Sequence, residues 1–194
     1  MVIGLTGRYC SGKGTAAAAF AARGFRVVDA DELSHEVLAE RAEQVIREFG
    51  PSVRATGAKA GVDRRALGRI VFADPAARTR LEAILYPDIT ERIKRFIAAD
   101  TRDVVINAPL LQRAGLQSIC DALVFVTAPA LVRLFRAMRR DRLSLPDAWT
   151  RINAQKDVRP QLNDRGVDTY IVRNRGSMRS LQRRVDRIVA GLRG

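Results

Sequence analysis

Residues 7–15 read GRYCSGKGT, which carries most of the phosphate-loop pattern G-x-x-x-x-G-K-[ST]. Gly7, Gly12 and Lys13 stand in their places, but the next position is Gly14, and the hydroxyl arrives one residue late on Thr15. Three matching residues alone are weak evidence; the setting adds to them. The stretch follows the apolar run VIGLT (2–6) and precedes an alanine-rich helix former, the strand-to-helix context such a loop requires. Glycines there let backbone N–H groups and a helix N-terminus close on negative charge. Cys10, Ser11, Gly12, Lys13, Gly14 and Thr15 are therefore the candidate phosphate contacts, with Lys13 reaching the outer phosphates. Cys10, next to a helix N-terminus and Lys13, is expected to have some thiolate character.

A second constellation is VVDADEL (27–33), with Asp29 and Asp31 two apart where a strand ends. If extended backbone continues to Asp31, the two carboxylates point to one side. In open parallel sheets ligands bind beyond the carboxyl ends of the strands. A carboxylate in that place can hold magnesium through water or take a proton from an attacking hydroxyl. The plainer reading is that Asp31 caps the helix that follows. Third, Arg133, Arg136, Arg139 and Arg140 lie along one helical stretch, with Arg136 and Arg140 four apart on one face. Guanidinium groups suit phosphate oxygens and charge that develops during transfer. A solvated helix face is the competing explanation.

The elements that would position these groups alternate along the chain. VIGLT, FRVVD (25–29), DVVIN (103–107), DALVFVT (121–127) and DTYIVR (168–173) are strand candidates rich in Val and Ile. The helical stretches between them are far too long for hairpins, which predicts a parallel sheet covered on both faces. Between the second and third strands lie helical patterns only. One runs across 31–48, and SVRATGAKAG (52–61) reads as loop. Another helix starts behind Asp63 as N-cap, and a third starts at Asp74-Pro75, with Pro87 opening or kinking a further helix through Ile97. Ser144 with Asp147 forms a capping-box pattern, so 130–155 reads as two helices turning at Arg142–Leu143. The last stretch, MRSLQRRVDRIVAGL, is amphipathic and should pack on the sheet.

Composition bounds the rest. The 194 residues fit one domain, and 47% hydrophobic with 28% charged residues describes a globular chain. No apolar run is long enough to span a membrane, and MVIGLTG does not read as a secretory leader, so a cytoplasmic location is expected. Two cysteines are too few for a disulfide framework or a zinc site. The net charge of +13, nearly all arginine, attracts anionic ligands or simply reflects a preference for arginine at the surface. It is spread along the helices rather than gathered in a tail.

Taken together, these stretches resemble the dephospho-coenzyme A kinase family along nearly the whole chain. The opening I-x-L-T-G-x-x-x-S-G-K stands at Ile3 to Lys13, and D-A-D at Asp29-Ala30-Asp31. D-R-x-A-L with V-F lies at Asp63 to Leu67 and Val71-Phe72, and P-L-L at Pro109-Leu110-Leu111. R-D-x-L-S lies at Arg140 to Ser144, followed by Arg151-Ile152 and Ala154-Gln155, and D-x-x-I-x-N-x-G is carried by Asp168, Ile171, Asn174 and Gly176. The resemblance implies an α/β fold, a P-loop kinase with a five-stranded parallel sheet flanked by helices. The core would be about 1–31, 101–132 and 166–194, with a helical acceptor-binding insertion at about 32–100 and a helical lid at about 133–165.

The implied activity is ATP- and magnesium-dependent phosphorylation of the ribose 3′-hydroxyl of dephospho-coenzyme A. Asp31 would then be the base, Lys13 and Arg140 would meet the transferring phosphoryl, and Arg136 and Asn174 would join the ATP site. Asp31, His35, Arg64 and Leu110 would contact the acceptor, and Thr15 and Asp29 the metal, Asp29 through water. ATP and dephospho-coenzyme A are the expected partners, with no membrane or nucleic acid, in a monomer or small homo-oligomer.

Several positions depart from the family pattern. His35 stands where D-A-D-x-x-A-R has arginine, Tyr86 replaces the histidine of L-H-P, and Arg113 replaces an acidic residue after P-L-L. Arg8 and Cys10 replace small loop residues, and the serine after Lys13 is absent. Two other readings compete. A nucleoside or nucleoside-monophosphate kinase is suggested by G-K-G-T, and a non-catalytic nucleotide-binding module by Gly14 and the positive charge.

Overall fold

A computed structural model describes residues 1–56, 61–109, 111, 115–155 and 167–193. The chain divides into two compact units, Met1–Val28 with Asp100–Gly194, and Asp29–Ala99.

The first unit is built on a five-stranded parallel sheet of order β2-β3-β1-β4-β5 flanked by helices. Its strands are β1 (Val2–Gly7), β2 (Arg26–Asp29), β3 (Val104–Asn107), β4 (Ala122–Thr127) and β5 (Asp168–Arg173). All five fall on the Val/Ile runs expected from the sequence. Register follows the period-2 rule: Ile3 pairs with Val105 and Ala122, Leu5 with Val124, and Val126 with Val172. One face is covered by α1 (Lys13–Ala21) and α8 (Met178–Arg193). Ile3, Leu5, Val105, Val124 and Val126 there pack with Ala16, Phe20, Leu181 and Val185 in one buried cluster. The alanines of α1 matter because small side chains let the helix lie close to β1, which fixes the loop between them. Two further helices, α6 (Ala130–Asp141) and α7 (Leu145–Asn153), meet in a smaller apolar cluster. Arg142 turns the chain between them with φ 52°, and the Ser144 hydroxyl accepts from Asp147 N–H as N-cap.

The second unit is helical. The stretch expected as one helix over 31–48 is two, α2 (Ala30–Glu40) and α3 (Ala42–Phe49), broken at Arg41. Asp63 caps α4 (Arg64–Ala73) through the N–H groups of Arg65 and Ala66. Asp74 caps α5, and Pro75 is its first residue. In a correction to the expected break at Pro87, α5 runs unbroken over Pro75–Ala98 with that proline inside. Ala77, Leu85, Ile89 and Ile93 are buried along it, so packing carries the helix past the missing N–H. Residues 57–60, within the expected loop, lie outside the described residues.

Candidate nucleotide and acceptor sites

The phosphate loop leaves the carboxyl end of β1, and its shape is set by backbone conformations that few residues tolerate. Ser11 N–H donates to the Arg8 carbonyl at 3.0 Å, closing a turn whose third residue, Cys10, has φ 56°. Gly12 follows at φ 96° and is the N-cap of α1. A Cβ on Gly12 would lie 2.2 Å from Asn174 Nδ2, and one on Gly7 would lie 2.3 Å from the Val126 carbonyl oxygen. Both positions exclude any side chain on steric grounds. Lys13 opens α1, with Gly14 and Thr15 in its first turn. The first N–H groups of α1 have no intrahelical partner and face the loop's mouth as an anion-binding end.

Side chains from distant elements hold this loop from outside. Asn174 Nδ2 donates to the Ser11 carbonyl at 2.9 Å, and Arg136 Nη1 donates to the same oxygen at 3.1 Å. Arg136 Nη2 also donates to Asn174 Oδ1 at 3.3 Å, so the two side chains brace each other. Gln155 Oε1 accepts from Tyr9 N–H at 2.6 Å. The Tyr9 hydroxyl donates to Asp141, and Arg140 grips the same carboxylate through Nε at 2.7 Å and Nη2 at 3.0 Å. Arg140 also lies over the Tyr9 ring, 5.4 Å from its centroid. The Arg140 guanidinium holds the Asp141 carboxyl down to about 2, with the Tyr9 hydrogen bond adding to the effect.

Burial pushes the Cys10 thiol above its ordinary value, and the cationic neighbours Arg140 and Arg136 only partly offset this. That corrects the expectation of thiolate character: desolvation outweighs the field of the guanidinium groups.

In the helical unit, Asp29 ends β2 in extended conformation and is the N-cap of α2, its Oδ1 accepting from Asp31 N–H at 2.9 Å. Asp31 therefore sits on the first helical turn, and the extended backbone expected to carry both carboxylates to one side stops at Asp29. The capping role considered for Asp31 belongs to Asp29. His35 lies one helical turn beyond Asp31, and its Nε2 faces Arg64 Nη2 at 2.5 Å, both side chains being exposed. Leu110 lies outside the described residues.

Gln155 and Tyr9 were not singled out as site residues from sequence. Gln155 stands in the A-Q pair that closes the lid pattern, which was the available signal. Nothing local marks Tyr9.

The chain matches the model of the dephospho-CoA kinase family over residues 1–180. The chain belongs to that family. A dephospho-CoA kinase of Anaeromyxobacter dehalogenans is 40% identical, the alignment covering 100% of this chain and 92% of the relative. Among solved structures, a Thermus thermophilus protein superposes with TM-score 0.81 at 30% identity, covering 100% of this chain and 98% of the other. The dephospho-CoA kinase from Campylobacter jejuni superposes with TM-score 0.69 over 98% of this chain and 96% of its own, and at 24% identity it supports the fold alone. Membership makes the chain a kinase of coenzyme A biosynthesis, and the nucleoside-kinase and binding-module alternatives are not favoured.

Proposed function

We propose that the chain transfers the terminal phosphoryl of ATP to the ribose 3′-hydroxyl of dephospho-coenzyme A, giving coenzyme A and ADP. The observation that carries this reading is the phosphate loop held open at Gly12 by the Asn174–Arg136 brace on the Ser11 carbonyl. Cys10 at φ 56° and Gly12 at φ 96° are the backbone conformations that this support holds in place, as an anion-binding loop requires.

The roles follow from the chemistry of phosphoryl transfer, which asks for alignment and charge neutralisation more than covalent work. Lys13 and the backbone of Cys10 to Thr15 take the ATP phosphates. Arg136 and Asn174 set the loop's shape and border the nucleotide. Arg140, held by Asp141, supplies a cation for the transferring phosphoryl. Asp31 accepts the proton of the attacking hydroxyl, and the Asp29 cap fixes the turn that presents it. His35 and Arg64 of the helical insertion, with Leu110, bind the acceptor, and the α6–α7 segment serves as lid.

Among the described residues no group of three or more His, Cys, Asp and Glu forms a metal cage. We take magnesium to be carried mainly by the phosphate oxygens and water, with Thr15 and Asp29 as its candidate protein contacts. The ion would neutralise charge on the phosphates. No described helix is long and apolar enough to cross a membrane, and the enzyme is expected to work in the cytoplasm as a monomer or small homo-oligomer. The position of the new phosphate tests the assignment: phosphorus NMR of the product should show a 3′-monoester, and a phosphate elsewhere on the acceptor would refute it.

A further inference from the structure

Arg133 is the buried arginine of the α6 run, and the roles above leave it unused. Its side chain is buried, 3% exposed, and its Nε and Nη1 find no hydrogen-bond partner among the described residues. A guanidinium is seldom buried unpaired, because it loses its water and gains nothing in return. Burial depresses its pKa, and Arg8 of the phosphate loop, close enough to repel it, adds to the effect. Its neighbour Leu134 belongs to the apolar cluster that holds Cys10 and has Tyr9 packed against it, which places this part of α6 near residues 9–10 of the loop.

We propose that Arg133 is a further phosphate-contacting residue, which together with Arg8 grips the outermost phosphoryl of the bound nucleotide. An anion between the two guanidinium groups satisfies the idle N–H donors and removes the repulsion together. The assignment to the outermost phosphoryl follows from the loop's polarity. The backbone N–H groups at the N-terminus of α1 take the inner phosphates, while the Lys13 side chain reaches outward. Arg8 to Cys10 form the opposite arm, so the cations beside that arm meet the group furthest out. Arg133 thereby distinguishes a triphosphate from a diphosphate.

The inference rests on the kinase reading only for the identity of the nucleotide. It is tested by binding to the full-length protein without acceptor, using the non-hydrolysable β,γ-imido analogue of ATP and ADP, in wild type, Arg133→Met and Arg133→Lys. The Met variant keeps the apolar stem and should weaken the triphosphate about tenfold or more while changing ADP by less than about threefold. Lys should recover part of the triphosphate affinity. The melting temperature of the ligand-free Met variant should stay level or rise, since an unpaired buried charge has been removed.

Equal loss of both nucleotides, or no loss of either, overturns the proposal. So does a lower melting temperature with an unchanged preference for triphosphate, which marks a purely structural arginine. If Arg133→Met does not fold, the charge was needed for the fold, and the Lys variant decides by the same ratio. A wild type that binds ATP but does not phosphorylate dephospho-coenzyme A would refute the kinase reading and leave this one standing.

Discussion

Asn174 Nδ2 and the Ser11 carbonyl meet at 2.9 Å across 163 residues of sequence, so the strand end after β5 directly supports the phosphate loop. The same nitrogen occupies the space a Cβ on Gly12 would need. Asn174→Ala leaves the Ser11 carbonyl with Arg136 as its donor and should raise the KM for ATP by about three- to tenfold, the equivalent of one buried hydrogen bond. Gly12→Ala adds strain at φ 96° to the clash and should reduce kcat/KM for ATP by at least that much, on the order of 1–3 kcal/mol. Steady-state kinetics with varied ATP check both; wild-type values in either variant would remove the brace from the account.

Arg140 and Asp141 form an ion pair whose arginine side chain is 62% exposed. The folded carboxyl sits near 2, below its ordinary value near 4, so the pair contributes stability at pH above about 4. That contribution is lost as pH falls from about 4 to about 2, and solvent screening limits it to about 1 kcal/mol or less. Asp141→Asn should flatten this part of the stability curve, measured as melting temperature against pH, and leave values at pH 7 within a few degrees. Arg140→Ala should lower kcat by about a thousandfold if its guanidinium meets the transferring phosphoryl. Retention of most turnover would limit Arg140 to holding Asp141 and Tyr9.

Cys10 is buried with its thiol raised above the ordinary value. Iodoacetamide at pH 7 should leave ATP turnover essentially intact, with inactivation accelerating only as pH rises past the usual thiol range. Rapid loss of activity at pH 7 that ATP prevents would contradict this.

Much of the scaffold was legible in the sequence because it is local. All five strands lie on apolar runs bounded by turn residues, and the caps at Asp63, Asp74 and Ser144 are short-range patterns with one mechanism. The misses have tertiary causes. Pro87 signals a break, yet Leu85, Ile89 and Ile93 bury on one face and carry α5 through it. The break at Arg41 carries no glycine or proline to announce it. In the site, the loop and its cation were visible from spacing and Asn174 was expected there, but the contacts that Gln155, Tyr9 and Asn174 make join residues more than a hundred positions apart. The Cys10 thiol depended on burial, which no local pattern reports.

Gly14 has open space around it, with nothing within 4 Å of an added Cβ. Gly14→Ser should therefore fold normally and change the magnesium concentration for half-maximal rate by only about two- to fivefold. A large gain in kcat on adding the hydroxyl would mean that the natural loop is impaired.

The central claim is phosphoryl transfer to dephospho-coenzyme A with Asp31 as the base, and an acceptor panel tests it most directly. ADP release is followed with ATP, magnesium and either dephospho-coenzyme A or each common nucleoside monophosphate, in wild type and Asp31→Asn. ADP should appear with dephospho-coenzyme A alone, and the variant should slow it by about a hundredfold or more. Release with a nucleoside monophosphate instead, or with no acceptor in the panel, would contradict the account, and full turnover in Asp31→Asn would take the base role from Asp31.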